Sequence, residues 1–200
     1  MMVGLVLVVA GCGSSSKPAA SGTTTTTTTT PAGTACKAAV PQGPVATIDT
    51  NFGCIVVALD TAHAPKAAGR FASLAKSGFY NGLTFHRVVP DFVIQAGDPK
   101  GDGSGGSGKP PVAGEVPTDG YPLGSLAAAK TGTDPAGTFD CQFFIVTGRQ
   151  GTQLPNEYAR FGHVVTGMDV AKKIESLAPP EGDGPPTQKV TIAKITITGA

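Results

Sequence analysis

Residues 85–98 read FHRVVPDFVIQAGD, two apolar strand-like runs that carry polar side chains where a plain buried strand would have none. Successive side chains of a strand point to opposite faces, so alternation predicts that Phe85, Arg87 and Val89 share one face. His86 then points to the other face. Because the polar positions break the simple in/out pattern, we treat this segment as the one around which the rest of the chain is organised.

The segment before it predicts a hairpin followed by a helix. Residues 45–60 read VATIDTNFGCIVVALD, in which two β-rich runs are separated by the turn residues 50–53. Residues 64–79 have the apolar spacing of a helix that packs one stripe against a sheet, and Gly78 is a natural stop. That stripe consists of Ala67, Phe71, Leu74 and Ala75.

The segment after it begins with a glycine-rich stretch, PKGDGSGGSGKPP at residues 99–111. A phosphate-binding loop would need a GK[ST] sequence between a strand and a helix, and neither is present. We therefore expect a surface loop whose glycines leave room for a bound chain to approach.

The remainder predicts further strands and one more helix. Residues 123–129, 141–148, 161–168 and 189–198 read as strands, and MDVAKKIESL at 168–177 reads as an amphipathic helix that ends before two prolines. The total of about eight short strands and two helices predicts a mainly β protein, a β-barrel capped by helices.

Composition limits the function classes. The chain has 200 residues, 40% of them hydrophobic, which is enough for one domain with a tail. The formal net charge of +1 gives no indication of a nucleic-acid partner.

The first 44 residues predict an export signal and a tether. Residues 1–12 hold a short apolar run and then Val9-Ala10-Gly11-Cys12, which looks like a bacterial lipobox with Cys12 as the lipidated residue, although no Lys or Arg precedes the run. Residues 13–44 are rich in Thr, Pro and Ser and predict a disordered tether, which leaves 45–200 as the folded domain. The alternative is that Cys12 is an ordinary cysteine in a disordered N-terminus.

The four cysteines leave more than one possibility open. If Cys12 is lipidated, then Cys36, Cys54 and Cys141 remain in an oxidising compartment. Cys36 could pair with Cys54 and tie the start of the domain to an early strand, or all the thiols could be free. No metal-site spacing such as CxxC occurs.

Taken in order, the motifs closely resemble those of the cyclophilins, the peptidyl-prolyl cis-trans isomerases. The resemblance runs from about residue 45 to residue 199. It includes FHRVVPDFVIQAGD, the glycine-rich loop, the Gly114-Glu115 step, CQFFIVT at 141–147 and FGHVVTGMDV at 161–170. It implies an eight-stranded antiparallel β-barrel closed by two α-helices, with the active site on one outer face and with no cofactor or metal.

The resemblance also implies the site. It puts the catalytic arginine at Arg87, and Ala129 where the substrate backbone lies along the pocket. Gln153 stands where many members carry tryptophan. The other implied substrate-binding residues are Phe92, Val93, Gln95, Gln142, Phe144, Leu154 and Tyr158. Gln95 and Gln142 could instead be satisfied core amides, and His86 is expected to be structural.

The function implied is rotation about X–Pro bonds by a monomeric, lipid-anchored protein outside the bacterial cell membrane. Its partners would be proline-containing peptides and unfolded exported proteins. Two alternatives remain: a module or holdase chaperone that binds proline segments without turnover, and a structural envelope protein that merely keeps the barrel.

Overall fold

A computed structural model describes residues 43–199 of the chain. The predicted signal segment, the lipidation site Cys12, most of the tether and Cys36 lie outside the described residues. Among residues 43–199 there is no helix with both the length and the apolar character needed to cross a membrane.

Ten strands and two α-helices make up the described part of the chain. The strands of the main sheet are β1 (Val45–Thr50), β2 (Gly53–Leu59), β3 (Phe85–Val89), β4 (Val93–Ala96), β6 (Ser125–Ala128), β8 (Phe143–Val146), β9 (Arg160–Thr166) and β10 (Ile192–Thr198). A small second sheet pairs β5 (Val112–Ala113) with β7 (Thr138–Phe139). The helices are α1 (Pro65–Lys76) and α2 (Met168–Glu175), and a 3-10 helix spans Gln150–Gln153.

The main sheet confirms the predicted fold class. It has eight strands in the order β10-β1-β2-β9-β6-β8-β4-β3, and every pairing between them is antiparallel. The sheet curls until its two outer strands approach each other, where Thr84 and Thr191 form an isolated bridge and Ile192 N–H donates to Leu83 O. The small β5–β7 sheet was not predicted, because two-residue strands leave no periodic pattern in a sequence.

Both ends of α1 are explained by local chemistry. Pro65 occupies the first turn, where its missing N–H costs nothing. The carboxylate of Glu115 accepts hydrogen bonds from Lys66 N (3.1 Å) and Ala67 N (3.2 Å), so a residue far along the chain caps the helix. The predicted stripe on α1 is buried, and the helix packs against β10, β5 and β9.

The prediction that Phe85, Arg87 and Val89 share a face is wrong for Phe85. In the β3–β4 pair, Phe85 is opposite Ala96 but Arg87 is opposite Gln95, so the register shifts at His86. The extra residue of such a β-bulge reverses the alternation beyond it. Phe85 therefore lies in the main core, whereas Arg87 lines a cavity on the outer side of the sheet.

The hydrophobic core lies between the curled sheet and the two helices. Its aromatic centre is formed by Phe71 with Tyr80, Phe143 and Phe161, whose ring centroids lie 5.2, 5.3 and 5.2 Å from that of Phe71. All of these rings are fully buried. A second, smaller apolar cluster lies on the other side of the sheet and contains Val93, Tyr121, Ala127, Phe144 and Val146.

The described cysteines differ in state. Cys54 is disulfide-bonded, whereas Cys141 is a free thiol buried in the core. Cys36, the partner that the sequence suggests for Cys54, lies outside the described residues.

Candidate active site

Strand pairing places the predicted site residues side by side. β4 runs between β3 and β8, and the register puts Gln95 opposite Arg87 on one neighbour and opposite Phe144 on the other. Neighbouring strands are about 4.8 Å apart, so side chains in one row across the sheet are in reach of each other. A row of one cation, one amide and one aromatic ring therefore crosses three strands.

This row forms part of a cavity of about 290 Å³. Eight of the nine residues that the sequence assigns to catalysis and substrate binding line it: Arg87, Phe92, Val93, Gln95, Ala129, Phe144, Leu154 and Tyr158. Its walls are mostly aromatic and aliphatic, and a guanidinium stands among them. The roles of the individual residues stay predictions.

The aromatic wall is held rigidly. The rings of Phe144 and Tyr158 meet edge to face, with centroids 5.5 Å apart. Tyr121 Oη donates to Tyr158 O (2.8 Å) and accepts from Tyr158 N (2.9 Å), so one buried hydroxyl holds the backbone of Tyr158. These contacts fix the position of Tyr158 in the wall of the cavity.

The turn between β3 and β4 holds the apolar end of the cavity. Asp91 adopts a φ of 53°, in the left-handed region. Its Oδ1 accepts from Arg149 N (2.7 Å), and Phe92 O accepts from Thr147 N (3.0 Å) and Gly148 N (3.1 Å). A Cβ at residue 148 would lie 1.9 Å from the carbonyl carbon of Asp91, so only glycine allows this close approach.

Arg87 is engaged on two sides. Its Nε and Nη2 donate to the two carboxylate oxygens of Asp183, at 2.6 and 2.7 Å, and its Nη1 donates to Gln95 Oε1 at 3.2 Å. The hydrogen bond and the positive charge of Arg87 lower the pKa of Asp183. The Arg87 side chain is 35% exposed and lines the cavity, so it is held in place but still accessible.

A chain of amides continues from Arg87. Gln95 Nε2 donates to Gln142 Oε1 (3.0 Å), and Gln142 Nε2 donates to Gly103 O (2.9 Å) and Gly105 O (3.0 Å). Both N–H groups of Gln142 are therefore bound to the glycine-rich loop. Neither glutamine is a core amide, since both are only half-buried and face a cavity.

A second cavity, of about 510 Å³, lies beside the first. It shares Gln95, Ala129 and Lys130 with the first cavity, and it also contains Gln142 and the glycine-rich loop. The predicted surface loop is therefore one wall of a groove that continues from the apolar cavity.

Sequence reasoning missed two charged residues near the site. Lys130 lines both cavities, its side chain is only 3% exposed, and its Nζ lies 5.4 Å from the centre of the Tyr158 ring and 3.4 Å from Glu157. Asp183 is the carboxylate partner of Arg87. In the sequence, Lys130 is marked only by its position directly after a strand of small residues. Asp183 is marked only by its position between two glycines in the PPEGDGPP stretch at 179–186.

The histidines lie outside both cavities. His86 is buried and neither ring nitrogen has a hydrogen-bond partner; burial lowers its pKa, and the charge of Asp98 acts in the opposite direction. His63 is exposed and pairs with Asp60, and His163 is exposed on β9. Within residues 43–199 no cluster of three or more His, Cys, Asp or Glu side chains has the arrangement of a metal site.

Comparison with known proteins identifies the family to which the chain belongs. Residues 45–197 match the family described as cyclophilin type peptidyl-prolyl cis-trans isomerase. The peptidyl-prolyl cis-trans isomerase ppi1 of Schizosaccharomyces pombe is 39% identical over 145 residues, which cover 69% of this chain and 89% of the yeast protein. The probable peptidyl-prolyl cis-trans isomerase B of Mycobacterium leprae is 37% identical over 180 residues, covering 79% of this chain and 59% of that protein.

Solved structures give the same result. The crystal structure of a Cryptosporidium parvum cyclophilin type peptidyl-prolyl cis-trans isomerase, determined in the presence of the dipeptide Ala-Pro, matches with a TM-score of 0.70 and 29% identity. The match covers 78% of this chain and 99% of that one. The chain therefore belongs to the cyclophilin-type peptidyl-prolyl cis-trans isomerases.

Proposed function

We propose that the 290 Å³ cavity is the site of X–Pro isomerisation and that Arg87 is its catalytic residue. One observation carries this assignment: the guanidinium of Arg87 lines the same cavity as a group of apolar and aromatic side chains, namely Phe92, Val93, Phe144, Leu154 and Tyr158. A proline ring is apolar, and the amide nitrogen attached to it is the atom whose bonding changes during rotation.

The barrier to be lowered is electronic. Amide rotation costs about 18–20 kcal/mol because resonance between nitrogen and carbonyl must be broken. In the twisted state the prolyl nitrogen becomes pyramidal and regains a lone pair. The planar guanidinium of Arg87 carries N–H donors in a fixed geometry, and one of them can donate to that lone pair.

This hydrogen bond accelerates rotation because it is stronger in the transition state. In the planar amide the lone pair is delocalised, so the nitrogen is a poor acceptor and gains little from Arg87. Only interactions that strengthen between ground and transition state raise the rate. A barrier lowered by about 7 kcal/mol corresponds to an acceleration on the order of 10⁵.

The remaining residues hold the substrate while one half of it turns. The rings of Phe144 and Tyr158 and the side chains around them fix the proline ring, and the groove along Ala129 takes the backbone that precedes it. The N–H of Ala129 already donates to Gln142 O (2.8 Å), so this donor is not available to a bound chain. Gln95 has one N–H beyond its bond to Gln142, which is available to the substrate.

Exchange rates of X–Pro peptides test the assignment. Arg87→Ala should lower kcat/KM by about 10²-fold or more, as expected when one preorganised donor is removed from a transition state. Arg87→Lys keeps the charge but loses the planar fork, so it should recover only part of the rate. Lys194→Ala, an exposed change on β10, is the matched control.

The same assay separates the alternatives. Equal rates for the wild type and Arg87→Ala would remove Arg87 from the mechanism, and a wild-type rate equal to the uncatalysed one would leave only a binding module. For a structural protein with no substrate, titration with a Pro peptide would not move the amide signals of Arg87, Gln95 and Gln142.

We propose further that the enzyme is a monomer that acts on unfolded exported proteins from a lipid anchor at Cys12. The lipobox-like sequence supports the anchor, and the disulfide at Cys54 supports an oxidising compartment. Cys12→Ser should move the full-length protein from the membrane fraction to the soluble fraction and abolish labelling by a fatty acid. Membrane attachment that survives this change would contradict lipidation, and sedimentation velocity tests the monomer.

A further inference from the structure

The loop after α2 reaches the proposed catalytic side chain, Arg87, from outside the cavity. Its sequence is PPEGDGPP, residues 179–186, with prolines at both ends and Asp183 between two glycines. Gly182 and Gly184 have φ values of 84° and 154°, which side chains larger than glycine rarely adopt. The backbone is therefore bent on both sides of Asp183, which presents its carboxylate to β3.

Backbone hydrogen bonds fix this loop to its surroundings. Val88 N–H donates to Gly184 O (2.7 Å), which attaches the loop to the outer edge of β3 one residue after Arg87. At the base of the loop, Thr187 N–H donates to Leu177 O (2.8 Å), and within it Gly182 N–H donates to Pro179 O (2.8 Å). These backbone hydrogen bonds therefore restrain the loop, and with it the position of the Asp183 carboxylate.

Asp183 and Arg87 form a bidentate ion pair. Both carboxylate oxygens accept, one from Nε and one from Nη2, at 2.6 and 2.7 Å. A bidentate pair fixes the plane of the guanidinium as well as its position, which a single hydrogen bond does not. Gln95 adds a third point from the opposite strand, on Nη1.

This ion pair leaves part of the Arg87 guanidinium free to donate hydrogen bonds. A guanidinium has five N–H donors, and three are used by Asp183 and Gln95, so one on Nη1 and one on Nη2 remain. Arg87 lines the 290 Å³ cavity, whereas Asp183 lines neither of the two cavities. The carboxylate thus holds the side chain without standing where a proline ring would bind.

We infer that Asp183 is a positioning residue, which acts through Arg87 by holding its guanidinium plane ready to donate to the twisting prolyl nitrogen. Arginine has many rotamers, and a side chain that must find its orientation in each catalytic cycle loses rate rather than affinity. This inference rests on the proposed role of Arg87. It applies to the transition state and not to the binding of the proline ring.

The test compares Asp183→Asn with wild type and with Glu181→Gln, an exposed change in the same loop. Asp183→Asn keeps the size of the side chain but removes one acceptor and the charge. We expect kcat to fall about 3- to 10-fold, because the pair is partly exposed and screened by solvent. KM should stay within about twofold of wild type, since the apolar walls are unchanged. Glu181→Gln should leave both constants unchanged.

Two further variants distinguish positioning from a merely structural role. Asp183→Glu restores a carboxylate and should recover part of kcat. Recovery should be incomplete because the longer side chain does not fit the same bidentate geometry. In an Arg87→Ala background, Asp183→Asn should cause no further loss of kcat, because the two residues act as one unit. Thermal unfolding of each variant checks that the fold is intact.

The outcomes separate the inference from the proposal on which it depends. If Arg87→Ala loses activity but Asp183→Asn keeps the full kcat, the inference is overturned and Arg87 keeps its role. A kcat that rises in Asp183→Asn would also overturn it, because Asp183 would then be restraining the arginine. If Arg87→Ala itself keeps full activity, the proposed function of the cavity fails.

Discussion

The side-chain amides of Gln95 and Gln142 are joined by a 3.0 Å hydrogen bond from Nε2 of Gln95 to Oε1 of Gln142. Each amide also makes further hydrogen bonds. Gln95 accepts one from Arg87, and Gln142 donates two to the glycine-rich loop. The loop is therefore connected to the guanidinium by two side chains.

This connection predicts strongly coupled mutations. Gln95→Ala and Gln142→Ala should each lower kcat/KM by about 10-fold, because each breaks the same chain of bonds. The double variant should be little worse than either single one, which for two 10-fold losses corresponds to a coupling energy of about 1.4 kcal/mol. Gln188→Ala, at an exposed position, is the control. Additive losses would mean that the two amides act independently.

Cys141 should be chemically inert in the folded protein. It is buried in the core, and burial, assisted by the nearby charges of Asp140 and Asp98, raises the pKa of its thiol to about 12. The reactive species is the thiolate, so at about pH 8 almost none is present. We expect no alkylation of the Cys141 peptide by iodoacetamide under native conditions and complete alkylation in guanidinium chloride, as read by mass spectrometry. Rapid labelling of the native protein would show that the core opens at this position.

His86 should make the domain less stable in mild acid. Burial lowers its pKa below the ordinary 6.5, so at pH values between the folded and the unfolded pKa the ring is neutral in the folded state and takes up a proton on unfolding. The stabilising effect of the neutral ring is complete above the unfolded pKa and is lost as the pH falls through the folded pKa. His86→Gln should flatten the dependence of the free energy of unfolding on pH below about pH 6.5, as measured by urea denaturation. His163→Gln, at an exposed position, should not; equal slopes for the wild type and His86→Gln would contradict the prediction.

Asp91 should be replaceable by asparagine but not by alanine. Its φ of 53° suits Asn and Asp, and its side chain accepts a hydrogen bond from Arg149 N. Alanine loses both advantages, so Asp91→Ala should cost about 1–3 kcal/mol of unfolding free energy. Asp91→Asn should cost a fraction of that, and Asp91→Gly, which relieves only the backbone, should fall between the two. An alanine variant as stable as wild type would show that the turn does not need this conformation.

Lys130 should influence substrate affinity more than turnover. Its buried Nζ donates to Asp134 O (3.2 Å) and Thr131 O (3.3 Å), and it lies near the Tyr158 ring. Lys130→Met keeps the length of the side chain but removes these bonds, which frees the 131–134 turn and one wall of the cavity. We expect KM to rise about 3- to 10-fold with kcat little changed, since ground and transition states use this wall equally. A selective loss of kcat would instead give Lys130 a part in the chemistry.

The sequence predicted those parts of the fold that leave local patterns. The β1–β2 hairpin follows from the turn residues at 50–53, and α1 follows from the spacing of Phe71 and Leu74. The site residues were found through resemblance of ordered motifs, not through periodicity. Eight of them then proved to line one cavity.

The features that the sequence did not predict depend on the register of strand pairing and on contacts between residues that are far apart in the chain. The bulge at His86 changes which residues share a face, yet a one-residue shift of pairing has no signature in composition. Asp183 is 96 residues from Arg87, and one aspartate in a turn-rich loop looks like any other until the fold brings it to β3. Lys130 was missed for the same reason, because a lysine after a strand is usually solvated.

The position of β1 has a consequence for the order of events in time. β1 is hydrogen-bonded to β2 on one edge and to β10 on the other, and β10 is the last of the described strands. During synthesis β10 is made more than a hundred residues after β1. The second edge of β1 therefore stays unpaired until the last described strand has been synthesised. Until then the nascent domain exposes an unpaired strand edge and an open core. For a chain exported as proposed, this delay would keep the domain loose enough to be threaded through a translocation channel, with completion of the fold on the far side.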